Sequence, residues 1–342
     1  MALNLPWLDQ VHEDAIDPAC PIIDPHHHLW PMRPVRGYEY LEDALHRDFT
    51  AGHNIIASVY IQCTSMYRQA GPEQMKPVGE TEWINATAER FVNDHPDGPA
   101  LAAGIVGHCD FTGDRVEEVL EAHLAAAPKR FRGIRQSCPW TDDAETLKTS
   151  AIYQKDLLLD PAFRRGYARL AKYGLSFDGW MFHPQLPALA DLARSFPDIP
   201  IVLDHLGAPL GKGAYGTRRD AVLAEWKQSI TELARCPNVH IKLGGSVMPL
   251  FGFAWESRAL PPSSDELVKA AGHFFDFAIQ SFSPARCMFE SNFPVDKEAC
   301  AYVPLWNSFK KMAARYNEGE RADLFRNTAA RFYRLDGPLK GK

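Results

Sequence analysis

PIIDPHHHLW, residues 21–30, is the stretch that decides the fold. It begins with a short apolar run, Pro21–Asp24, and passes directly into three histidines and a tryptophan. In an open, doubly wound sheet the first strand usually ends in a glycine-rich turn that binds phosphate. The histidines and Trp30 stand in place of that turn. This favours a closed barrel, in which the loops after the strands build the active site.

Seven further strand-like runs follow along the chain, separated by segments with apolar residues at helical spacing. Strands that alternate with helices form parallel β–α–β units, so eight of them predict one (β/α)8 TIM barrel over residues 1–342. An open doubly wound sheet is the alternative. The later strands are predicted at Ile55–Gln62, Leu101–His108, Phe131–Arg135, Leu175–Phe182, Ile199–His205, Val239–Leu243 and Cys287–Glu290, and helices at Thr81–Asn93, Arg115–Ala127, Pro161–Lys172, Leu186–Ser195 and Ala221–Ala234.

The composition excludes several classes of protein. The chain has 46% apolar residues, 23% charged residues and a net charge of −6, which argues against a nucleic-acid partner. It has no stretch of about 20 apolar residues, so no membrane span is predicted. A polar N-terminus argues against a secretory signal, and seven widely spaced cysteines are typical of reduced, structural thiols. We expect a cytoplasmic protein with a small-molecule substrate, and leave homo-oligomerisation open.

Histidines at strand ends are the candidate metal ligands. His26 and His28 are two residues apart, so they project from the same face of a strand, while His27 points away. Two imidazoles on one face can bind a divalent cation. His205 ends the sixth strand after Asp204, whose strand parity opposes it, and His183 follows the fifth strand. The alternative is that adjacent histidines simply form hydrogen bonds in a crowded loop.

Five motifs, in this order, resemble those of the amidohydrolase-2 group of the amidohydrolase superfamily: DxHxHxW (24–30), RGIR (132–135), MFHPQL (181–186), DHLG (204–207) and SNFPVD (291–296). The branch that they most resemble contains 2-pyrone-4,6-dicarboxylate lactonase, 4-sulfomuconolactonase and fuconolactonase-like sugar lactonases. The resemblance implies a distorted TIM barrel that hydrolyses a small acidic or sugar-derived lactone. It also implies one divalent metal ion, Zn²⁺ or Mn²⁺, or metal-independent catalysis, because the family includes both.

Carried over to this sequence, the resemblance assigns His26, His28 and His205 to the metal. The family usually has an Asp in the eighth-strand motif, where it accepts a proton from water. Here that position is Asn292, and an amide cannot act as a general base. We predict that Glu290 or Asp296 replaces it. A buried ion pair between Glu290 and Lys242 is the alternative.

Substrate binding is predicted for groups near the strand ends. Arg132, Arg135 and Lys242 supply positive charge that suits a carboxylated lactone, although the parity of the two arginines differs. Ion pairs within the barrel, for example with Asp178, are the alternative. Gln62, Trp180 and His183 complete the predicted substrate site. Glu80, at a helix start, has either a family role or only a favourable interaction with the helix dipole.

Two insertions, 64–79 and 248–264, are predicted above the barrel. The aromatic residues of the second insertion, Phe251, Phe253 and Trp255, predict either a substrate pocket or an apolar plug. The leading hypothesis for the whole chain is a lactone hydrolase. The alternatives are a metal-dependent, non-oxidative decarboxylase of an aromatic or muconate acid, and a ligand-binding barrel without catalysis.

Overall fold

Eight short strands run parallel, and their order in the sheet is their order along the chain. The computed structural model describes residues 3–33, 36–147 and 153–335. Because the strand order never reverses, the fold is the predicted (β/α)8 barrel and forms a single domain. The strands are β1 (Pro21–His27), β2 (Asn54–Ile61), β3 (Ala100–Gly107), β4 (Phe131–Ile134), β5 (Ser176–Gly179), β6 (Ile201–Leu203), β7 (Val239–Leu243) and β8 (Cys287–Phe289).

The barrel closes where the chain beyond β8 meets β1. Asn292 N donates to His26 O at 2.9 Å, and His28 N donates to Phe293 O at 2.8 Å. These bonds form an isolated parallel bridge between His27 and Phe293, beyond the end of β8 at Phe289. The seam between the first and last strands therefore lies at the level of the candidate histidines.

Asp24 strengthens the same seam. Its Oδ1 accepts a hydrogen bond from Ser291 N at 3.0 Å, and its Oδ2 accepts one from Tyr302 Oη at 3.0 Å. Burial raises the pKa of Asp24 to about 6, although these hydrogen bonds favour the ionised form. Asp24 thus ties β1 to the segment after β8 and to the helix that follows it.

The helices pack around the barrel close to their predicted positions. Leu186–Ser195 has the predicted bounds, the helix predicted at Thr81–Asn93 begins earlier, at Val78, and the one predicted at Pro161–Lys172 is divided at Ala168. Among the described residues, the α-helices are Leu5–Leu8, Glu42–Phe49, Val78–Asp94, Val116–Ala126, Ala144–Leu147, Pro161–Tyr167, Arg169–Tyr173, Leu186–Ser195, Arg219–Ala234, Ser264–Phe282, Tyr302–Ala313, Glu318–Ala322 and Thr328–Phe332.

The C-terminal segment fills part of the barrel interior. Phe332, Tyr333 and Leu335 pack against strand residues of one parity, such as Val202 and Met288. Residues of the opposite parity belong to the larger cluster between the strands and the helices. Since both faces of the strands are buried, apolar residues occupy both faces rather than alternating with polar ones, and Asp178 on β5 and Lys242 on β7 are exceptions.

All seven cysteines are free, and five of them are buried, as expected for structural thiols. Among the described residues, no helix has both the length and the apolar composition that crossing a membrane requires. A short antiparallel hairpin, Trp30–Arg33 with Tyr38–Tyr40, follows β1.

Candidate active site

The end of β1 directs His26 and His28 into the barrel mouth. Their Nε2 atoms lie 3.2 Å apart. His27 lies on the other side, where its ring contacts the rings of Phe49 and Tyr60. The pairing of β1 with β2 is irregular between Asp24 and His27, which rotates the chain locally. The predicted separation of His27 from the other two histidines is therefore observed.

His28 presents a lone pair at Nε2. Its Nδ1 lies 2.7 Å from Ile61 O, and because a carbonyl oxygen only accepts hydrogen bonds, Nδ1 carries the proton. Burial lowers the pKa of both His26 and His28 well below the usual range, and neighbouring Lys242 and Arg135, respectively, lower it further. Both imidazoles are therefore neutral at pH 7, the form that binds a metal.

Asp204 and His205 both face the site, which strand parity did not predict. Strand β6 ends at Leu203, so Asp204 continues the inward parity of Val202. His205 then has a φ of 52° and Leu206 a φ of 56°, and this left-handed turn brings the ring of His205 back towards the barrel axis. The ring centroids of His26 and His205 are 4.5 Å apart.

Glu290 lies between two of the histidines. Its Oε1 accepts hydrogen bonds from His205 Nδ1 at 2.7 Å and from His205 N at 3.1 Å. Its Oε2 lies 2.8 Å from His26 Nδ1. Burial favours protonation, but His205 and His26 outweigh it and lower the pKa of Glu290 to about 2. Glu290 is thus a buried anion held by imidazoles and is not paired directly with Lys242.

Glycines on β7's extension make room for this arrangement. A Cβ at Gly244 would lie 2.4 Å from both Glu290 Cγ and Glu290 O. Gly245 has a φ of 66°, and a Cβ there would lie 2.7 Å from His205 Cβ. A larger residue at either position would displace Glu290 or His205.

Lys242 is the buried cation of the site. Its Nζ donates to Asp178 Oδ2 at 2.7 Å and lies 3.0 Å from Asp204 Oδ1 and 3.1 Å from His26 Nδ1. Tyr333 Oη also donates to Asp178 Oδ2, at 2.6 Å. The C-terminal segment is therefore connected through Asp178 and Lys242 to the histidine cluster, and the suggested Asp178–Lys242 ion pair is present.

The charges of the buried cluster are unequal. Lys242 and Arg135 carry two positive charges, whereas Asp178, Asp204 and Glu290 are three carboxylates. Burial raises the pKa of Asp178 to about 6, while Lys242 lowers the pKa of Asp204 despite its burial. A further cation in this cluster would offset the excess of negative charge.

Asn292 and Asp296 form a separate pair beside the cluster. Asn292 Nδ2 donates to Asp296 Oδ1 at 2.7 Å. Asn292 adopts a left-handed backbone with a φ of 55°, which asparagine tolerates well. Asp296 Oδ2 is buried without a hydrogen-bond partner among the described residues. Burial raises the pKa of Asp296 well above its usual range, which favours the protonated form of this carboxyl group.

Two predicted residues lie apart from the cluster. Arg132 Nη1 and Nη2 donate to the carbonyl oxygens of Phe131 and Lys129, on its own strand segment. His183 Nδ1 accepts from Leu210 N at 3.2 Å, and its Nε2 faces Glu225. Arg132 and Arg135 have opposite strand parity, which explains why Arg132 lies apart from the cluster. We leave both residues out of the site.

Arg135, Gln62 and Trp180 do lie at the site. Arg135 Nη1 lies 3.4 Å from His26 Nε2, and its Nη2 donates to Gln62 O. Gln62 Oε1 is buried without a partner among the described residues. The Trp180 ring stands edge-on to His205 at 4.8 Å. His108, which we did not predict as a site residue, contacts Arg135 O at 3.1 Å, and its position at a strand end was the available signal.

The two insertions have mainly structural contacts. Phe251 belongs to an apolar cluster with Phe182 and Leu210, and Trp180 and Phe253 pack against this cluster. Phe251 is therefore part of an apolar plug, the second of the two predicted roles. Next to the first insertion, in the helix Val78–Asp94, Glu80 Oε1 accepts hydrogen bonds from Tyr60 Oη and from the backbone nitrogens of Cys63 and Ser65. Glu80 therefore holds the start of that loop.

The donor set fits a divalent metal ion. Possible ligand atoms of His26, Asp204 and His205 all lie within 4.8 Å of one another, and all three residues are buried. His28 adds a fourth nitrogen through its contact with His26. Imidazole and carboxylate donors in this number suit Zn²⁺ or Mn²⁺.

Comparison with known proteins gives a consistent result. The family model described as "Amidohydrolase" matches residues 23–335. An uncharacterised protein of Sinorhizobium fredii is 31% identical, covering 92% of this chain and 98% of that protein. An L-fucono-1,5-lactonase of Burkholderia multivorans is 29% identical, covering 94% of this chain and 98% of the lactonase.

A solved structure is similar over almost the whole chain. It is an amidohydrolase from Burkholderia multivorans with bound zinc, 26% identical and with a TM-score of 0.68. The similarity covers 92% of this chain and 99% of the neighbour.

Proposed function

This chain belongs to the amidohydrolase family and is a hydrolase, and on that premise we propose that it opens the ester bond of a small, sugar-derived lactone. The observation that carries the proposal is the convergence of His26, His28 and His205 on an ionised carboxylate, Asp204, at the barrel mouth. The L-fucono-1,5-lactonases that resemble this chain over their whole length support the substrate class.

His26, His28 and His205 would hold the metal ion, with Asp204 beside them. A divalent cation supplies Lewis-acid polarisation of the lactone carbonyl and lowers the pKa of water. Since the excess of carboxylates leaves the cluster negatively charged, a cation is favoured there.

Asp204 is the group to which we assign the proton from the attacking water. Lys242 lowers the pKa of Asp204, so Asp204 is ionised at neutral pH. Asp204 Oδ2 lies 3.7 Å from Arg135 Nη1 and forms no hydrogen bond with the described residues. A carboxylate with a free oxygen can accept a proton, which the amide of Asn292 cannot.

Asp296 is the proposed proton donor. When the ring C–O bond breaks, the leaving oxygen needs a proton. Burial raises the pKa of Asp296, which favours its protonated form, and Asn292 Nδ2 donates a hydrogen bond to its Oδ1. Asn292 thus serves the reaction by positioning an acid rather than by acting as a base.

The charge pairing favours a neutral substrate over a carboxylated one. Lys242 is paired with Asp178, and Arg135 lies against His26 and Asp204. Arg132 lies outside the cluster. The cations that we predicted for a substrate carboxylate are therefore already engaged. Gln62 Oε1 is free to accept a hydrogen bond from a sugar hydroxyl.

Proton release from a panel of lactones tests the proposal. The zinc-loaded protein should hydrolyse neutral sugar 1,5- and 1,4-lactones with a kcat/KM about ten-fold or more above that for carboxylated muconolactones, equivalent to about 1.4 kcal/mol. D204N should lower kcat about 10²- to 10⁴-fold, because it removes the proton acceptor. R132Q, on the strand that leads to Arg135, serves as the matched control and should retain activity.

Two outcomes would contradict this function. Release of CO₂ from an aromatic acid, without hydrolysis of any lactone, would support the decarboxylase alternative. Tight lactone binding with no turnover by the metal-loaded protein would support the non-catalytic barrel.

A further inference from the structure

We propose that Glu290 is a positioning residue: its Oε1 holds His205 with the Nδ1 nitrogen protonated and the Nε2 nitrogen free to bind a divalent cation. The inference rests on the proposed function only in taking His205 as a metal ligand. It assigns to Glu290 a role different from the proton acceptor expected from the sequence.

The contacts of Glu290 determine both the protonated nitrogen and the ring orientation of His205. Glu290 Oε1 is 2.7 Å from His205 Nδ1 and 3.1 Å from the backbone nitrogen of the same residue. A carboxylate oxygen only accepts hydrogen bonds, so Nδ1 carries the proton and Nε2 carries the lone pair. Because His205 follows the end of a strand in a left-handed turn, this double contact also fixes its ring orientation.

His26 is not held in the same way. Glu290 Oε2 lies 2.8 Å from His26 Nδ1, but this oxygen forms no hydrogen bond with the described residues. Lys242 Nζ lies 3.1 Å from the same nitrogen, and an ammonium group can only donate. The positioning role of Glu290 therefore concerns His205.

Glu290 Oε1 thus holds His205 through both its ring and its backbone nitrogen. A carboxylate that orients a metal-binding histidine typically changes metal affinity by 10- to 100-fold. Here the carboxylate follows β8 and the histidine follows β6, so the contact joins two strand ends. The lack of a side chain at Gly244 leaves room for the Cγ of Glu290.

Zinc affinity of the apo-protein, measured by competition with a chromophoric chelator, tests the inference without any substrate. E290A should weaken zinc binding 10- to 100-fold, because His205 loses the acceptor of its Nδ1 proton. E290Q, whose amide oxygen can still accept that hydrogen bond, should be intermediate. E80A is the matched control: Glu80 is also buried, but its hydrogen bonds go to Tyr60 and to backbone nitrogens, so zinc affinity should be unchanged.

Histidine tautomers provide a second readout. In ¹⁵N-labelled apo-protein, two-bond ¹H–¹⁵N correlations should show His205 protonated at Nδ1, and E290A should shift its proton towards Nε2. Unchanged zinc affinity in a folded E290A, or an unchanged His205 tautomer, would overturn the inference. Failure of the lactone assays alongside weakened zinc binding by E290A would instead reject the proposed substrate and retain the role of Glu290.

Discussion

His123 is a buried histidine whose two ring nitrogens have complementary partners. Nδ1 lies 2.8 Å from Thr81 Oγ1, and Nε2 lies 2.9 Å from His108 O. The carbonyl requires a proton on Nε2, so Nδ1 accepts from the threonine hydroxyl. Burial lowers the pKa of His123 to about 4, because a charged imidazolium would lose its hydration there.

This depressed pKa predicts a loss of stability in acid. The unfolded chain binds a proton at His123 below pH 6.5, whereas the folded chain does so only near pH 4. The stabilisation by neutral His123 is therefore complete above pH 6.5 and is lost as the pH falls towards 4, by about 3 kcal/mol in all. Urea unfolding at several pH values should show a shallower acid dependence in H123N than in the unmodified protein. Equal pH slopes would contradict the assignment.

Individual site residues were predictable to different degrees. The spacing of His26 and His28 fixed their common direction, because the two-residue period of a strand is a local property. The joint entry of Asp204 and His205 was not predictable, since it depends on a strand that stops at Leu203 and on a left-handed turn at a non-glycine residue. The contacts of Glu290 with His205 and His26 depend on the relative positions of β8, β6 and β1, and no local pattern encodes these positions.

Whole elements were the most predictable part of the fold. The eight strands lie where short apolar runs occur in the sequence, because both of their faces are buried. The C-terminal segment was not predicted as a filling of the barrel. Its aromatic residues, Phe332 and Tyr333, have the pattern of any amphipathic helix end, and only the tertiary structure places them against Val202 and Met288.

Tyr333 gives a prediction for this C-terminal element. Its hydroxyl donates to Asp178 Oδ2 at 2.6 Å inside the barrel, so Y333F should lower the free energy of unfolding by about 1–3 kcal/mol. Tyr167 is an equally buried control whose hydroxyl has no hydrogen-bond partner among the described residues. Y167F should be neutral or stabilising in the same urea titrations. Equal losses from both substitutions would show that hydroxyl removal, rather than the bond to Asp178, determines the effect.

For the whole molecule, the candidate metal ligands connect distant parts of the chain. His26 and His28 lie at the end of β1, and Asp204 and His205 follow β6. An ion bound by these residues would therefore link two sides of the barrel mouth. The unfolded chain cannot present these groups together. A metal that binds only the folded state therefore adds to the free energy of unfolding of the entire domain.

Removal of metal should measurably destabilise the protein. With free zinc at 100 times its dissociation constant, the free energy of unfolding should exceed that in chelator by about 2.7 kcal/mol. Urea unfolding with and without zinc measures the difference. H28N should reduce it, because one imidazole donor is lost. A zinc effect of the same size in H28N would place the ion elsewhere.

Gly244 meets two requirements at one position. A Cβ there would lie 2.4 Å from the backbone oxygen of residue 290, so the position needs glycine whatever side chain residue 290 carries. The same Cβ would lie 2.4 Å from Glu290 Cγ. A smaller residue at 290 would therefore not make room for a side chain at 244. The two positions cannot exchange volume, and the space that the glutamate occupies is one that the backbone packing leaves open in any case.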